Sequence, residues 1–393
     1  MRVLKVIHGF PPDYMAGSEV YSYHLVKELI SQKIETFVFT RVENEFDDNY
    51  KIYNEEFEDI NIQRVNKPKK DYLYEDKFYD DKLDKIFKEY LESINPDIVH
   101  FGHLSHLSTN LIKIVKEFNI PIVYTIHDFW LYCVKGQMIN QDGIICEDPS
   151  VENCTKCSNY VVNTKQVEDS TKHMKNIIDL VDVFVSPSHT LKDFFINQGI
   201  AKNKIKYLKY GFNTKKIIYN KKVFTENSKI NFGFMGRVIP TKGIKVLVDS
   251  FKKLPNEQLS IYGNIGIQKR FLKTKNIIFK GAYDNNNINE VLNDIDVLIV
   301  PSIWYENAPL VIQEAFLAGI PVITSDIGGM EELVKNKING FTFNVGSSEE
   351  LMILIKNISN NPIILNHLES SRNIVVDIED DAKEIINIYE KLL

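Results

Sequence analysis

The sequence predicts an α/β protein of two doubly wound domains, each built on a parallel sheet. Three observations carry that reading. Short apolar runs alternate with helix-length amphipathic segments, the pattern of strands joined by helical crossovers. The alternation comes in two series of similar size. The chain's 393 residues, 44% hydrophobic and 25% charged, supply apolar material for two or three ordinary domains.

The first series opens with the buried-strand candidate "VLKVI" at 3–7, followed by the loop "HGFPPDYMAGS". An amphipathic segment from Glu19 to about Ser31 and the run "TFVFT" come next. "PDIVHF" (96–101) and "IPIVYTIHD" (120–128) repeat the strand-then-loop rhythm, and "DVFVSPS" (182–188) closes the series. Residues 41–70 are charged and irregular, with "KPKK" at 67–70, and read as a solvated insertion. The second series begins at "INFGFMGR" (230–237) and continues through "LSIYG", "NIIFKG", "VLIVPS" and "PVITSD". The join falls around 207–213. This gives a first domain over 1–208 and a second over 209–375, with an amphipathic helix at 376–393 expected to pack back on the first.

A formal net charge of −6 argues against a nucleic-acid binder that relies on an overall positive field. The chain runs from Met1 straight into a strand-like segment, so no secretory leader is read, and no apolar run approaches the ~20 residues that span a bilayer. The expected location is cytoplasmic, at most at the inner face of a membrane. The basic and aromatic stretch "KPKKDYLYEDKFY" is the candidate for peripheral contact, against the plainer reading of a solvated loop.

Ligands of open parallel sheets bind beyond the carboxyl ends of the strands, so chemistry is sought in the loops there. In "VLIVPSIWYENAPLVIQEAFLAG", Pro309 suits the first turn of a helix that Gly319 stops. The start of that helix, over Asn307, Ala308, Pro309, Leu310 and Val311, offers partial positive charge and, at every position but the proline, a backbone N–H to a phosphate. Glu306 lies just before the helix and Glu314 about 7 Å along it. Either acid alone reads as ordinary surface charge. Together, flanking a phosphate site, they suit hydroxyl-rich groups on either side, a ribose and a sugar. "FGFMGRVIPTKG" puts Arg237 and Lys242 in the loop after the second series' first strand, where two cations can hold a diphosphate.

These pieces resemble the retaining nucleotide-sugar glycosyltransferases of family 4, with two facing Rossmann-like domains in the GT-B arrangement. The resemblance covers nearly the whole chain. Its most specific part is Glu306-x7-Glu314 followed by "AGIPVITSDIGGMEELV" and "NGFTF". It implies that Glu306 contacts the donor sugar, Glu314 the ribose, and Arg237 and Lys242 the diphosphate. The strand end "IIFKG", with Lys280, would lie by the base. "PPDYMAGSEVYSYHLVKEL" resembles the family's glycine loop, with Gly17 in place and Ala16 where a glycine is usual. "YTIHDFWLYC" resembles the segment with the active-site histidine, here His127, expected to position the donor sugar without transferring a proton. His103 and His106 are candidates for the acceptor side.

The expected reaction is transfer of a sugar from a nucleoside diphosphate to a glycan or lipid-linked saccharide, with the departing diphosphate helping to deprotonate the acceptor. No second carboxylate opposite the leaving group offers itself as a nucleophile. No catalytic metal is expected, because Asp294 and Asp296 in "NDIDVL" precede a strand and so sit at the wrong end of the sheet. The four cysteines, Cys133, Cys146, Cys154 and Cys157, all fall in one stretch. Cys154-x-x-Cys157 has metal-ligand spacing, and the set can form a structural zinc site, the alternative being free thiols in a loop. A 2-epimerase of nucleotide sugars and an inactive scaffold of a polysaccharide assembly complex are the competing readings of the whole chain.

Overall fold

A computed structural model describes residues 1–68, 74–140, 142–147, 149–158, 161–264, 274–283 and 287–393. The chain divides into two compact units. The N-terminal unit comprises Met1–Phe212 and Asp377–Leu393, and the C-terminal unit comprises Asn213–Val376.

In the N-terminal unit, β1 (Arg2–Val6) leads into α1 (Gly17–Ser31) and β2 (Glu35–Val42). A hairpin of β3 (Ile52–Phe57) and β4 (Ile60–Asn66) precedes α2 (Asp81–Ile94). Then follow β5 (Ile98–Phe101), α3 (Asn110–Glu117), β6 (Ile122–Thr125), α4 (Val151–Cys157) and α5 (Thr164–Leu180). β7 (Val183–Ser186), α6 (His189–Asn197), β8 (Ile205–Tyr207) and the two-residue β9 (Gly211–Phe212) complete the first pass. The sheet order is β3-β4-β2-β1-β5-β6-β7-β8, parallel throughout except for the β3–β4 pair. Val3, Leu4 and Val6 of β1 are fully buried, as expected of a central strand covered on both faces.

The expectation of a solvated insertion at 41–70 is corrected here. β4 pairs in parallel with β2 and belongs to the sheet. Its sequence "INIQRVN" hides this because Gln63, Arg64 and Asn66 are polar yet buried. They are tolerated because each is hydrogen-bonded. Arg64 donates to the Phe10 and Pro11 carbonyls and pairs with Glu55; the Asn66 amide donates to the carbonyls of Asn44, Asp47 and Asp48. In the stretch proposed for membrane contact, Lys67 is buried against Asp80 and Lys77 is buried beneath the Trp130 ring. Residues 69–73 lie outside the described residues.

In the C-terminal unit the order along the chain is β10 (Asn231–Met235), α7 (Ile244–Lys252), β11 (Gln258–Tyr262), β12 (Ile277–Gly281), α8 (Ile288–Asp294), β13 (Val297–Val300), α9 (Leu310–Ala318), β14 (Val322–Ser325), α10 (Gly328–Leu333), β15 (Gly340–Phe343) and α11 (Ser348–Asn360). The sheet runs β12-β11-β10-β13-β14-β15, all parallel. Counted from β10 this is the 3-2-1-4-5-6 order of the Rossmann fold, whose ligand crevice opens where strand order reverses. The reversal lies between β10 and β13, so the loops after those two strands form the expected site.

The last helix, α12 (Ile378–Glu390), returns to the N-terminal unit and packs on α1. Among the described residues no helix is long and apolar enough to cross a membrane.

Candidate functional site

The loop after β10 turns through a short 3-10 segment, Pro240–Lys242, and delivers Lys242 toward the loop after β13. The two loops are tied by the Ile303 N–H to the Thr241 carbonyl, 3.0 Å. Lys242 Nζ lies 2.6 Å from Glu306 Oε1 and 5.9 Å from the centre of the Trp304 ring. The same Oε1 accepts from Ser302 Oγ and Trp304 Nε1, both at 2.8 Å. All three hydrogen bonds to this carboxylate from described residues end on Oε1. A carboxylate has about four acceptor positions, so Oε2 keeps its capacity for a ligand hydroxyl. Glu306 is a buried acid anchored by one cation and two neutral donors, not a solvated charge. Arg237, in the same loop as Lys242, is exposed; its carbonyl accepts the Ile239 N–H at 3.0 Å, and its guanidinium makes no hydrogen bond among the described residues.

The helix α9 begins at Leu310 behind Pro309, and no side chain caps it. Its first-turn N–H groups therefore face the loop that carries Glu306, the arrangement that receives anions. Gly319 ends it in the left-handed conformation. The loop before the helix is held from below by α10: Gly329 N–H donates to the Glu306 carbonyl at 2.8 Å. A Cβ on Gly329 would sit 1.5 Å from the Asn307 carbonyl oxygen, so only glycine permits this approach.

Glu314, one turn into α9, keeps part of its surface open, but its carboxyl is largely removed from water. That burial pushes its pKa up to about 7, against a smaller pull from Lys216. Tyr283, in the loop after β12, is the neighbour whose phenol is pushed up by burial and by Glu314. An unfolded glutamate titrates near 4.5, so between that value and about 7 the folded chain holds the extra proton. Stability should then fall as pH rises through this window. Glu314→Gln removes the titration. Its gain in stability over the wild type should be larger at pH 8 than at pH 5 by roughly 1–3 kcal/mol, as read from chemical melts; an equal difference at both pH values rejects the assignment. Lys280, expected near the base, is drawn to Asp294 at 3.2 Å, which also accepts from Tyr262. Asp296 receives the Asn231 N–H and pairs with Lys222. Both aspartates thus serve helix-end and strand-start contacts.

In the N-terminal unit the loops after β1, β5 and β6 bring three histidines together. His8 Nε2 lies 3.1 Å from Glu19 Oε1 and its ring is 4.5 Å from that of His103. Burial would raise the Glu19 carboxyl, but hydrogen bonds from His8 and Ser18 bring it down to about 2. His103 Nδ1 accepts the Ser105 N–H, so its Nε2–H donates to Asp128, 3.2 Å away. His127 is half-buried, and its Nδ1 lies 2.5 Å from the Tyr210 hydroxyl. Burial, then Lys5, His103 and His8, push the His127 pKa well below the usual range, so its ring is neutral. His106 is half-buried with a left-handed backbone, φ 59°. Gly17 is the exposed first residue of α1, behind an extended Ala16.

Among the described residues the four cysteines form no disulfide. Cys133 and Cys154 are buried, and Cys154 and Cys157 share α4. Burial, then the fields of Cys133, Cys146 and Cys157, push the Cys154 thiol up to about 11. The structure gathers the thiols, yet among the described residues no group of three or more His, Cys, Asp or Glu side chains is arranged to hold a metal ion.

Residues 15–216 match the family model described as Glycosyltransferase Family 4, and residues 215–374 match that of Glycosyl transferases group 1. The first match alone covers more than half of the chain. The chain belongs to glycosyltransferase family 4. This glycosyltransferase is 26% identical over 274 residues to a 42.6 kDa protein in the cps region of Klebsiella pneumoniae, a match covering 65% of this chain and 64% of that protein. The chain thus spans less than two thirds of that relative's length. It is 35% identical over 106 residues to an Escherichia coli UDP-Gal:alpha-D-GlcNAc-diphosphoundecaprenol alpha-1,3-galactosyltransferase, covering 27% of this chain and 21% of the other. HepE of Anabaena, solved with UDP and glucose, has the same fold, with a TM-score of 0.69, 16% identity and 100% of both chains covered.

Of the residues expected at the glycosyltransferase's donor site, Lys242, Glu306 and the start of α9 come together, while Lys280 is engaged elsewhere. The sequence reading missed Ser302 and Trp304, which fix the Glu306 carboxylate. It also missed Tyr283 beside Glu314 and Tyr210 on His127. The signal for Trp304 was available: an indole two residues before a loop glutamate is an N–H donor within reach of it. Tyr210 had none, since it lies 83 residues from its histidine.

Proposed function

We propose that this glycosyltransferase is a retaining enzyme. It takes a sugar from a nucleoside diphosphate donor and passes it to a saccharide acceptor carried on a lipid diphosphate, in polysaccharide assembly. The observation that carries the reading is the Lys242–Glu306 pair beside the uncapped start of α9, at the strand-order reversal of a Rossmann sheet. Such a place suits a diphosphate and a sugar next to it. The Escherichia coli relative is named for a UDP-sugar donor and a lipid-linked acceptor, which supports both classes here; the UDP and glucose held by HepE support the same donor class.

In this reading the bond from the sugar C1 to the phosphate oxygen breaks, and the electron pair leaves with the diphosphate. Lys242, Arg237 and the α9 N-terminus take up the negative charge as it develops. Glu306 Oε2 accepts from the sugar hydroxyls, and the Glu314 carboxylate accepts from the ribose. The acceptor oxygen bonds to C1 on the face the phosphate leaves, and its proton passes to a phosphate oxygen. In the N-terminal unit, His127 and His103 are groups of a kind that hydrogen-bonds sugar hydroxyls.

The test is a thermal-shift screen of UDP, GDP and ADP and their sugars, followed by incubation of stabilising donors with a lipid-diphosphate N-acetylglucosamine. A ligand at 100 times its dissociation constant adds ~2.7 kcal/mol of stability. The expected product keeps the donor's anomeric configuration, read from the C1–H coupling by NMR. An inverted product overturns the retaining mechanism. Donor isomerisation without transfer, or no turnover of any donor that binds, overturns the transferase reading itself.

A further inference from the structure

His127 sits 2.5 Å from the Tyr210 hydroxyl through Nδ1. Tyr210 belongs to the last stretch of the N-terminal unit before the chain crosses to the second, and α12 holds that stretch. Asp381 Oδ2 of α12 accepts the Gly211 N–H at 3.0 Å. A Cβ on Gly211 would lie 2.6 Å from the Ile378 Cα, so the helix rests directly on the backbone beside Tyr210. Asp381 also takes the hydroxyl of Tyr21. The Tyr21 ring packs at 4.2 Å on Tyr210 and at 6.0 Å on His127. Tyr210 is thus fixed from two sides, by its own backbone and by its ring.

A neutral imidazole carries one proton, and the hydrogen bond at one nitrogen decides which. A phenol is a better donor than acceptor, and an unprotonated imidazole nitrogen is the better acceptor of the two groups. The Tyr210 hydroxyl therefore donates to Nδ1, and the ring proton goes to Nε2. We propose that Tyr210, clamped by the C-terminal helix through Gly211 and Asp381, is a positioning residue that holds His127 as the Nε2–H tautomer. Nε2, which is buried beside Gly102, then carries the proton and is unsuited to abstracting one. Its consequence for turnover rests on the role proposed for His127; the tautomer itself does not.

The tautomer is read from a long-range proton–nitrogen NMR spectrum of histidine-labelled full-length protein, with His127→Gln supplying the assignment. The wild type is expected to show Nε2 protonated and Nδ1 bare. Tyr210→Phe keeps the ring stack and removes only the hydroxyl, so it should give a mixture of tautomers. His100, whose ring is bonded to Tyr389 and Thr125, should keep its signals and thereby certify the fold. Gly211→Ala, which pushes α12 off this backbone, should give the same mixture. A wild-type Nδ1–H ring, or a pure Nε2–H ring in Tyr210→Phe, overturns the proposal; a pure Nε2–H ring in folded Gly211→Ala overturns the part given to α12. With a donor found by the screen, Tyr210→Phe should lower kcat about tenfold, the worth of one hydrogen bond, with little change in donor KM. An altered tautomer with unaltered kcat removes His127 from the reaction while leaving Tyr210 in control of its proton.

Discussion

Lys242→Met will lower sugar transfer by roughly 10²- to 10³-fold, the usual effect of losing one preorganised group that meets charge developing in the transition state. Lys242 has a second task, since it pairs with Glu306 at 2.6 Å. Its removal leaves a buried carboxylate with two neutral donors and no counter-charge, which costs stability. The double variant Lys242→Met with Glu306→Gln separates the two tasks. Stability should recover in the double variant, because the unpaired charge is gone. Turnover should not recover, because nothing replaces the cation at the diphosphate. The cycle of melts and rates for the wild type, both single variants and the double measures each coupling. If Lys242→Met stays within threefold of wild-type turnover, the lysine serves only to hold Glu306, and the diphosphate is bound elsewhere.

Gly329→Ala should be nearly as damaging, although Gly329 is not expected to touch any substrate. Its added Cβ would stand 1.5 Å from the Asn307 carbonyl oxygen and 3.0 Å from that of Glu306. Both obstacles are backbone, so no side chain can turn away, and the loop from Ser302 to Pro309 must lift. Overpacking of this kind typically costs 1–3 kcal/mol. A displacement of about 1 Å at a reacting group can cost 10²-fold in rate. The expected result is a folded protein with a lowered melting temperature and transfer reduced by roughly 10²-fold. If Glu314 holds the ribose as proposed, a free nucleoside should still raise its melting temperature, since Glu314 lies on the helix and not on the loop. Wild-type transfer in a variant with an unchanged melt would show that the α10 contact does not set the loop.

Much of the architecture could be read from the chain alone, because its central strands are apolar runs and its helices carry ordinary start and stop signals. The α9 helix is a good instance: Pro309 and Gly319 mark its two ends in the sequence, and the structure ends it at the same places. The loops bearing Lys242 and Glu306 followed from the rule that ligands meet the carboxyl ends of strands. β4 was illegible for a physical reason. Its polar residues are buried by partners such as Phe10 and Pro11, more than 50 residues away, and no local pattern encodes such compensation. The same limit applies to the site. That Glu306 is a ligand candidate was visible; that one oxygen is saturated and the other open was not, because the answer depends on where Lys242 arrives.

The N-terminal unit closes only with Asp377–Leu393, after the whole of the C-terminal unit has been threaded through the chain. Synthesis on the ribosome proceeds from one end, and domains generally fold as units as they emerge. Here the unit begun first must be finished last. The nascent first half waits with α1 and β9 uncovered where α12 will lie, while the second half can complete its own sheet. The N-terminal unit thus reaches its final packing only when residues 377–393 have left the exit tunnel.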